Sequence, residues 1–323
     1  MIWDFDYGSV SAIARLLNEN GLSMTKKFGQ NFLVSQQVLD RIVSLCGDVS
    51  GRTVWEVGPG IGALTTKLLK AGANVTAFEI DHGFCRILRE QAYVDNPSFR
   101  LIEGDALRNW KGLFEKEGAP DIVCANLPYN VGSIFIASLI EGRCIPQRMV
   151  YTLQSEVVRR MCSKVGSPDY SGFTVLTGID YENSEALRIK AGCFFPPPNV
   201  DSSVVVMQRR SESLVPEECV GRLISLVRVL FSQRRKTVKN NMKGLGLGND
   251  TIDALLLAAD IPSSERAERL SMEQLVSLAA ALEDLYAKGL CNENNVNDEN
   301  DGSNESNGVP SAAEVGDQKE GLE

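Results

Sequence analysis

Histidine is almost missing from this chain of 323 residues: His82 is the only one. That excludes a histidine-rich metal site and any Ser-His-Asp triad that does not use this one ring. His82 stands at the start of "DHGFCRILRE", after an apolar run, so a solvent-facing residue at a helix start is expected there. Eight cysteines occur, but no two form a C-x-x-C pair, and Cys46 and Cys124 sit inside apolar runs. Reduced, buried thiols are the ordinary reading, and neither a metal site nor a disulfide framework is expected. No run of 18 apolar residues is present, so no membrane span is expected. The opening "MIWDFDYGSV" has no basic region ahead of an apolar core. No signal peptide and a cytoplasmic location are therefore expected.

Large apolar side chains are scarce from Asn292 onward. That stretch holds nine acids against Lys319 alone, so it carries −8 of the net −9 and leaves the residues before it at −1. It cannot bury enough surface to offset the entropy of ordering, and residues 291–323 are expected to be a disordered acidic tail.

Elsewhere the composition is that of a globular protein, 43% hydrophobic and 23% charged, with enough length for one large or two modest cores. Val10, Ile13, Leu16 and Leu17 recur at helical spacing and end at Gly21, and Val38, Ile42 and Leu45 repeat the pattern up to Gly47. Strand-like runs then alternate with helices: "TVWEVG", "NVTAFEID", "FRLIEGDA", "DIVCANLP", "RMVYTLQ", "FTVLTGIDY" (173–181) and "SSVVVMQR". Continuous apolar strands separated by helices predict an α/β fold with a mostly parallel sheet covered on both faces. The last two runs are expected to add an antiparallel edge. After about residue 210 every pattern has helical period, which predicts a small all-helical second domain over 211–290. The resulting division is an N-terminal extension (1–24), an α/β domain (25–210), the helical domain and the tail.

In "WEVGPGIGALT" an apolar strand runs into Gly58, Gly60 and Gly62, and a helix follows. Glycines permit the sharp turn and let a ligand approach the backbone. Glu79 ends the next strand 21 residues beyond Gly58, where a carboxylate can accept from both hydroxyls of a ribose. Strand, loop, helix and acid in register point to a nucleoside-containing ligand. Gly58, Gly60 and Ala63 also satisfy G-x-G-x-x-G/A, so a dinucleotide enzyme stays open here. Asp105 ends the third strand, either to accept from an exocyclic adenine amine or simply as a helix N-cap.

"NLPY" ends the fourth strand at the same sheet edge. Asn126 Oδ1 and the Leu127 main-chain carbonyl are two acceptors, Pro128 stiffens the turn, and Tyr129 offers a π face. Two acceptors beside an aromatic plate suit a flat base that carries an NH₂ group. Hydride transfer has no use for such an arrangement.

Glycine loop, acidic strand end, Asp105 and "NLPY", in this order, resemble the class I S-adenosylmethionine-dependent N6-adenine methyltransferases. "KKFGQNFL" (26–33), "CFFPPPNVDSSVV" (193–205) and "FSQRRKTVKNNMK" (231–243) narrow the resemblance to the KsgA (RsmA) family of small-subunit rRNA adenine dimethyltransferases. It covers roughly residues 10–290 and implies a Rossmann-like domain with a helical C-terminal domain. It also implies S-adenosylmethionine as cofactor and dimethylation of two adjacent adenosines in the 3′-terminal hairpin of small-subunit rRNA. The implied partner is an assembly intermediate of that subunit, with no membrane or metal, and the chain is expected to act as a monomer. Carried over by motif, Gln30 and Asn31 close over the cofactor, and the Leu33 main chain, Gly58 and Gly60 lie along its methionine part. Glu79 takes the ribose, Ile80 lies against the adenine, Asp105 takes its amine, and Ala106 and Asn126 are further cofactor-binding residues. Asn126, Leu127, Pro128 and Tyr129 hold the target base, and Phe194 stacks on its other face; core packing is the plainer alternative for Phe194 and Phe195. The family usually has lysine where Asn199 stands, which removes one expected phosphate contact. Trp55 replaces a smaller aliphatic and is a packing variation. Erythromycin-resistance dimethylases of large-subunit rRNA share this chemistry, and a non-catalytic ribosome-assembly factor is the alternative of a different class.

Cations that face RNA must be concentrated, because the body is nearly neutral. Arg228, Arg234, Arg235, Lys236, Lys239 and Lys243 fall in a stretch without one acid. A solvated helix face is the plain reading, and a phosphate-contacting surface the functional one. Arg159, Arg160 and Lys164 are candidates to extend it.

Overall fold

The computed structural model describes residues 1–22, 31–128 and 131–288. Gln30, Tyr129 and the acidic tail lie outside the described residues. Helix α1 (Val10–Glu19) starts at Ser9, whose hydroxyl accepts from the Ala12 N–H, and buries Ile13, Leu16 and Leu17. A hydroxyl cap ahead of apolar positions at i, i+3 and i+4 produces that helix. In chain order there follow β1 (Phe32–Leu33), α2 (Gln36–Leu45), β2 (Thr53–Val57), α3 (Ala63–Lys70), β3 (Asn74–Glu79) and α4 (His82–Ile87). Then come β4 (Phe99–Glu103), α5 (Ala106–Glu117), β5 (Ile122–Asn126), α6 (Gly132–Glu141), β6 (Arg148–Gln154) and α7 (Ser155–Met161). Helix α8 (Gly172–Gly178) precedes β7 (Tyr181–Ile189), β8 (Phe194–Phe195) and β9 (Ser202–Arg209).

One compact unit comprises Met1–Val158 and Glu182–Arg209. Its seven-stranded sheet has the order β4-β3-β2-β5-β6-β9-β7. The pairings from β4 through β6 are parallel, and β9 runs antiparallel to β6. Strands β2 and β5 are buried along nearly their whole length because helices cover both faces of the sheet. From β2 the chain winds outward through β3 and β4, then crosses back to start β5 on the other side. The order therefore reverses between β2 and β5, and in such sheets the crevice at the carboxyl ends of these two strands receives the ligand.

The expected strand over 173–181 is a helix instead. Ser171 caps α8: its hydroxyl accepts from the Thr174 N–H while the Thr174 hydroxyl accepts from the Ser171 N–H. This reciprocal cap fixes a helical start in a β-branched apolar run that periodicity alone cannot classify. The antiparallel addition does form, but β9 and the polar strand β7 build that edge.

Among the described residues, a second compact unit takes in 159–181 and 210–288. It is helical: α8 is joined by α9 (Glu217–Phe231), α10 (Val238–Met242), α11 (Asn249–Ala258) and α12 (Met272–Ala287). Helix α9 buries Leu223, Leu226, Val227 and Leu230, and Ser271 with Gln274 forms a capping box that starts α12. Residues 159–181, expected within the α/β domain, thus pack with the helices.

Among the described residues no helix is long and apolar enough to cross a membrane, and no group of three or more His, Cys, Asp or Glu side chains is arranged to hold a metal. The seven cysteines among them are free thiols.

Candidate active site

Strand β2 ends in a turn that needs glycine. Gly58, Gly60 and Gly62 have φ of 67°, 58° and 93°, a region that residues with a Cβ rarely occupy. A Cβ on Gly58 would lie 3.7 Å from Pro128 Cδ. The glycine turn after β2 and the Asn126-Leu127-Pro128 turn after β5 are therefore close neighbours at the switch point.

Glu79, the last residue of β3, is buried to 5% exposure. Its Oε2 accepts from the Gly60 N–H at 3.0 Å and its Oε1 from the Asp81 N–H at 2.9 Å. Burial pushes its carboxyl up to about 7, and the N–H donors of Asp81 and Gly60 oppose that rise. Ile80 follows and is 47% exposed, uncommon for an isoleucine beside a core strand. The neighbouring strand end holds Asp105, which caps α5 through an Oδ1 that accepts from the Leu107 N–H at 2.9 Å. Its Oδ2 lies 3.9 Å from Arg108 Nε. The N-cap alternative for Asp105 is thus realised, and Ala106 is buried behind it as the first residue of α5.

Glu56 is a residue that the sequence motifs do not single out. It lies in β2, two residues before the turn, fully buried, and accepts the Thr65 hydroxyl at 2.7 Å. Burial pushes its carboxyl up to about 8. The available signal is a lone acid inside the apolar run "VWEV", since an unpaired carboxylate is seldom placed in a core without a purpose.

Asn126 is half-buried at the end of β5, and its Nδ2 donates to the Asn31 main-chain carbonyl at 3.2 Å. The amide nitrogen is thereby engaged as a donor, which leaves Oδ1 as the acceptor of this side chain. Among the described residues no donor reaches that oxygen or the Leu127 carbonyl. The Leu127 N–H donates to the Thr152 carbonyl on β6 at 3.3 Å, and the Pro128 carbonyl accepts from the Val131 and Gly132 N–H groups that start α6. The turn is braced at both ends.

A two-residue antiparallel pair carries Asn31 to this place: Phe32 of β1 faces Phe195 of β8, and Leu33 faces Phe194. The Val34 N–H extends it by donating to the Cys193 carbonyl at 2.9 Å. Leu33 and Phe194 are both buried, at 3% and 4% exposure, in the main hydrophobic cluster. The Phe194 ring is therefore a core ring in this state, while the half-buried Phe195 packs against a smaller cluster around Phe32 and Ile61. The structure brings together Asn31, Leu33, Gly58, Gly60, Glu79, Asn126, Leu127, Pro128 and Phe194 around one sheet edge, with Ile80, Asp105 and Ala106 at the adjoining strand ends. His82, first residue of α4, is exposed and contacts Glu103 through Nδ1.

In the helical unit, Arg228, Arg235, Lys236 and Lys243 are exposed. Two other expected cations are committed within the unit. Arg234 donates to the Pro168 carbonyl at 2.7 Å, and Lys239 pairs with Asp253 of α11 at 2.7 Å. The run is acid-free along the chain, but the fold supplies an acid from α11.

Residues 21–284 match the ribosomal RNA adenine dimethylase family. A ribosomal RNA small subunit methyltransferase A of Treponema denticola is 38% identical over 280 residues, which cover 85% of this chain and 94% of that protein. One from Myxococcus xanthus is 36% identical, over 83% of this chain and 94% of its own length. Among solved structures, a dimethyladenosine transferase from Plasmodium falciparum superposes with a TM-score of 0.64 at 25% identity, over 79% of this chain and 97% of that one. A 23S rRNA methyltransferase, ErmE, has a TM-score of 0.58 at 23% identity over 78% of this chain and all of that one, a likeness of fold. The chain belongs to the ribosomal RNA adenine dimethylase family, as its glycine loop, strand-end acid and "NLPY" turn led one to expect.

Proposed function

We propose that this protein methylates N6 of adenosines in small-subunit rRNA at the crevice between the ends of β2 and β5. The observation that carries the reading is the Asn126 Nδ2 bond to Asn31, which leaves Oδ1 as an acceptor in the turn that neighbours the glycine turn. The methyl donor is S-adenosylmethionine, which when bound supplies an electrophilic methyl on a sulfonium with a neutral thioether as leaving group. Gln30, Asn31, Leu33, Gly58 and Gly60 would hold its methionine part, Glu79 its ribose, and Ile80, Asp105 and Ala106 its adenine. The exposed Ile80 side chain, the buried acceptor Glu79 and a glycine turn open to close approach suit that ligand.

The amine of adenine is a poor nucleophile, because its lone pair is delocalised into the ring. Asn126 Oδ1 and the Leu127 carbonyl accept hydrogen bonds from its two N–H groups and so favour a pyramidal nitrogen whose lone pair points away from both oxygens. Pro128 keeps the two acceptors at fixed separation. No strong base is required, since the newly methylated nitrogen is acidic while it carries the extra proton. Tyr129 stacks on one face of the base. For Phe194 to stack on the other, its ring must be uncovered as the base enters.

The substrate is an assembly intermediate of the small subunit, and two adjacent adenosines near the 3′ end of its rRNA receive the methyls. The protein acts as a cytoplasmic monomer. Arg228, Arg234, Arg235, Lys236, Lys239 and Lys243 are assigned to RNA phosphates, with Arg235, Lys236 and Lys243 the foremost. Labelled methyl donor, offered with isolated small and large subunits, tests the assignment by mass spectrometry of each rRNA. Dimethyladenosine in small-subunit rRNA is expected. Label confined to the large subunit would place the enzyme with the erythromycin-resistance type, and no label on either would leave an RNA-binding assembly factor.

A further inference from the structure

Residues 1–20 precede the segment matched by the family, yet their side chains reach the glycine turn. The Trp3 indole N–H donates to the Tyr7 hydroxyl. Tyr7 Oη lies 3.0 Å from Thr66 Oγ1, which lies 2.8 Å from Tyr93 Oη. The Tyr93 hydroxyl donates to the Gly62 carbonyl at 2.7 Å. An indole N–H can only donate and a carbonyl can only accept, so the order of protons along this chain is fixed. Each hydroxyl accepts from the group before it and donates to the next. Tyr7, Thr66 and Tyr93 are all buried, so water does not compete for these bonds, and aligned bonds of this kind polarise one another. Apolar packing runs alongside: Tyr7, Ile13, Leu16 and Leu17 share one cluster with Phe32 and with Ile61 of the turn itself. The Trp3 main-chain N–H also donates to the Ala92 carbonyl at 3.0 Å, which ties the segment down next to Tyr93.

We infer that Tyr7 is a positioning residue for the methyl donor, holding the glycine turn in its binding shape through Thr66, Tyr93 and the Gly62 carbonyl. The inference rests on the reading of that turn as the donor's seat. A turn shaped in advance spares the ligand the entropy of ordering it, so loss of the relay weakens donor binding without touching the reacting atoms.

In the full-length protein, Tyr7→Phe and Thr66→Val each remove one hydroxyl while keeping the shape, and Thr66→Ser keeps the hydroxyl. Calorimetric titration with S-adenosylmethionine is paired with methylation of small-subunit particles at saturating donor. In Tyr7→Phe and Thr66→Val the donor Kd rises about 5- to 20-fold, whereas Thr66→Ser stays within about twofold of the unaltered protein. The kcat at saturating donor and the KM for RNA stay within about twofold in all three, because the relay meets neither the base nor the methyl. A lowered melting temperature with an unchanged donor Kd in both deletion variants overturns the positioning role. If Tyr7→Phe does not fold, the contrast between Thr66→Val and Thr66→Ser decides. Absence of donor binding by the unaltered protein overturns the donor reading, and this inference with it, before any variant is compared.

Discussion

Glu79 Oε2 accepts the Gly60 N–H at 3.0 Å and so ties the end of β3 to the glycine turn that follows β2. One carboxylate thus closes the turn, and in the proposed function the same carboxylate takes the ribose of the methyl donor. Burial pushes this acid up to about 7, so near neutrality the free protein is a mixture of protonated and ionised forms. Ribose hydroxyls donate to the ionised form. Affinity for S-adenosylmethionine should therefore tighten several-fold from about pH 6 to about pH 8. Glu79→Gln should bind more weakly and show a flat profile. Titration calorimetry across that range checks both, and a flat profile in the unaltered protein contradicts the role.

Glu56 makes a stability prediction of defined sign. Its carboxyl titrates at about 8 when folded against an ordinary value of 4.5, so the folded state holds the proton more tightly than the unfolded state. The stabilisation is fully present below about pH 4.5 and is lost as pH rises through about 8. Glu56→Gln keeps an acceptor for the Thr65 hydroxyl and removes the titration. Thermal melts between about pH 5 and about pH 9 should show a decline with pH in the unaltered protein that is shallower in the variant. Glu79 acts with the same sign up to about 7, so a residual slope remains. Parallel slopes would rule out Glu56 as a main source.

Two glycine substitutions should move stability in opposite directions. Gly62 has φ of 93°, and a Cβ there would collide with the Tyr93 hydroxyl. Gly62→Ala should lower stability by about 2–4 kcal/mol and weaken donor binding. Gly112 lies within α5, and a Cβ there meets nothing within 4 Å. Gly112→Ala should raise stability by about 0.5–1 kcal/mol and leave activity unchanged. Denaturant titration measures each, and equal signs would contradict the geometry.

The elements that build the site are the most legible in the sequence. Parallel strands covered on both faces must be apolar along their length, so β2, β3, β5 and β6 stand out, and their carboxyl ends carry the residues that break the apolar pattern. Helix α8 reads as a strand because "FTVLT" is rich in β-branched and aromatic residues and is buried on every side. Its buried environment erases the period that tells helix from strand, and its capping box uses a threonine in place of the usual Glu or Gln. Strand β7 escapes for the opposite reason: as the outer edge it exposes Glu182 and Glu185 and lacks a strand's apolar run. Long-range bonds leave no local trace. Nothing near Asn126 announces a bond to Asn31, and nothing near Tyr7 announces one to Thr66.

Exposed cations should dominate RNA binding over paired ones. Arg235 and Lys236 are exposed, whereas Lys239 is held by Asp253 at 2.7 Å. The double substitution Arg235→Glu and Lys236→Glu should weaken binding to small-subunit rRNA and make the log-log salt dependence shallower, by about 0.9 for each phosphate no longer neutralised. Lys239→Ala should change that slope less. Filter binding at several salt concentrations checks this, and a flat salt response in the unaltered protein would remove the phosphate-contacting role.

The central claim is that Asn126 Oδ1 and the Leu127 carbonyl grip the amine of the target adenine beside the methyl donor's seat. Its most direct test measures, on one preparation of Asn126→Ala, both the affinity for S-adenosylmethionine and the rate of methyl transfer to small-subunit particles. The rate should fall by about a hundredfold or more while the donor Kd stays within about fivefold. Methylation by Asn126→Ala at close to the normal rate would contradict the claim.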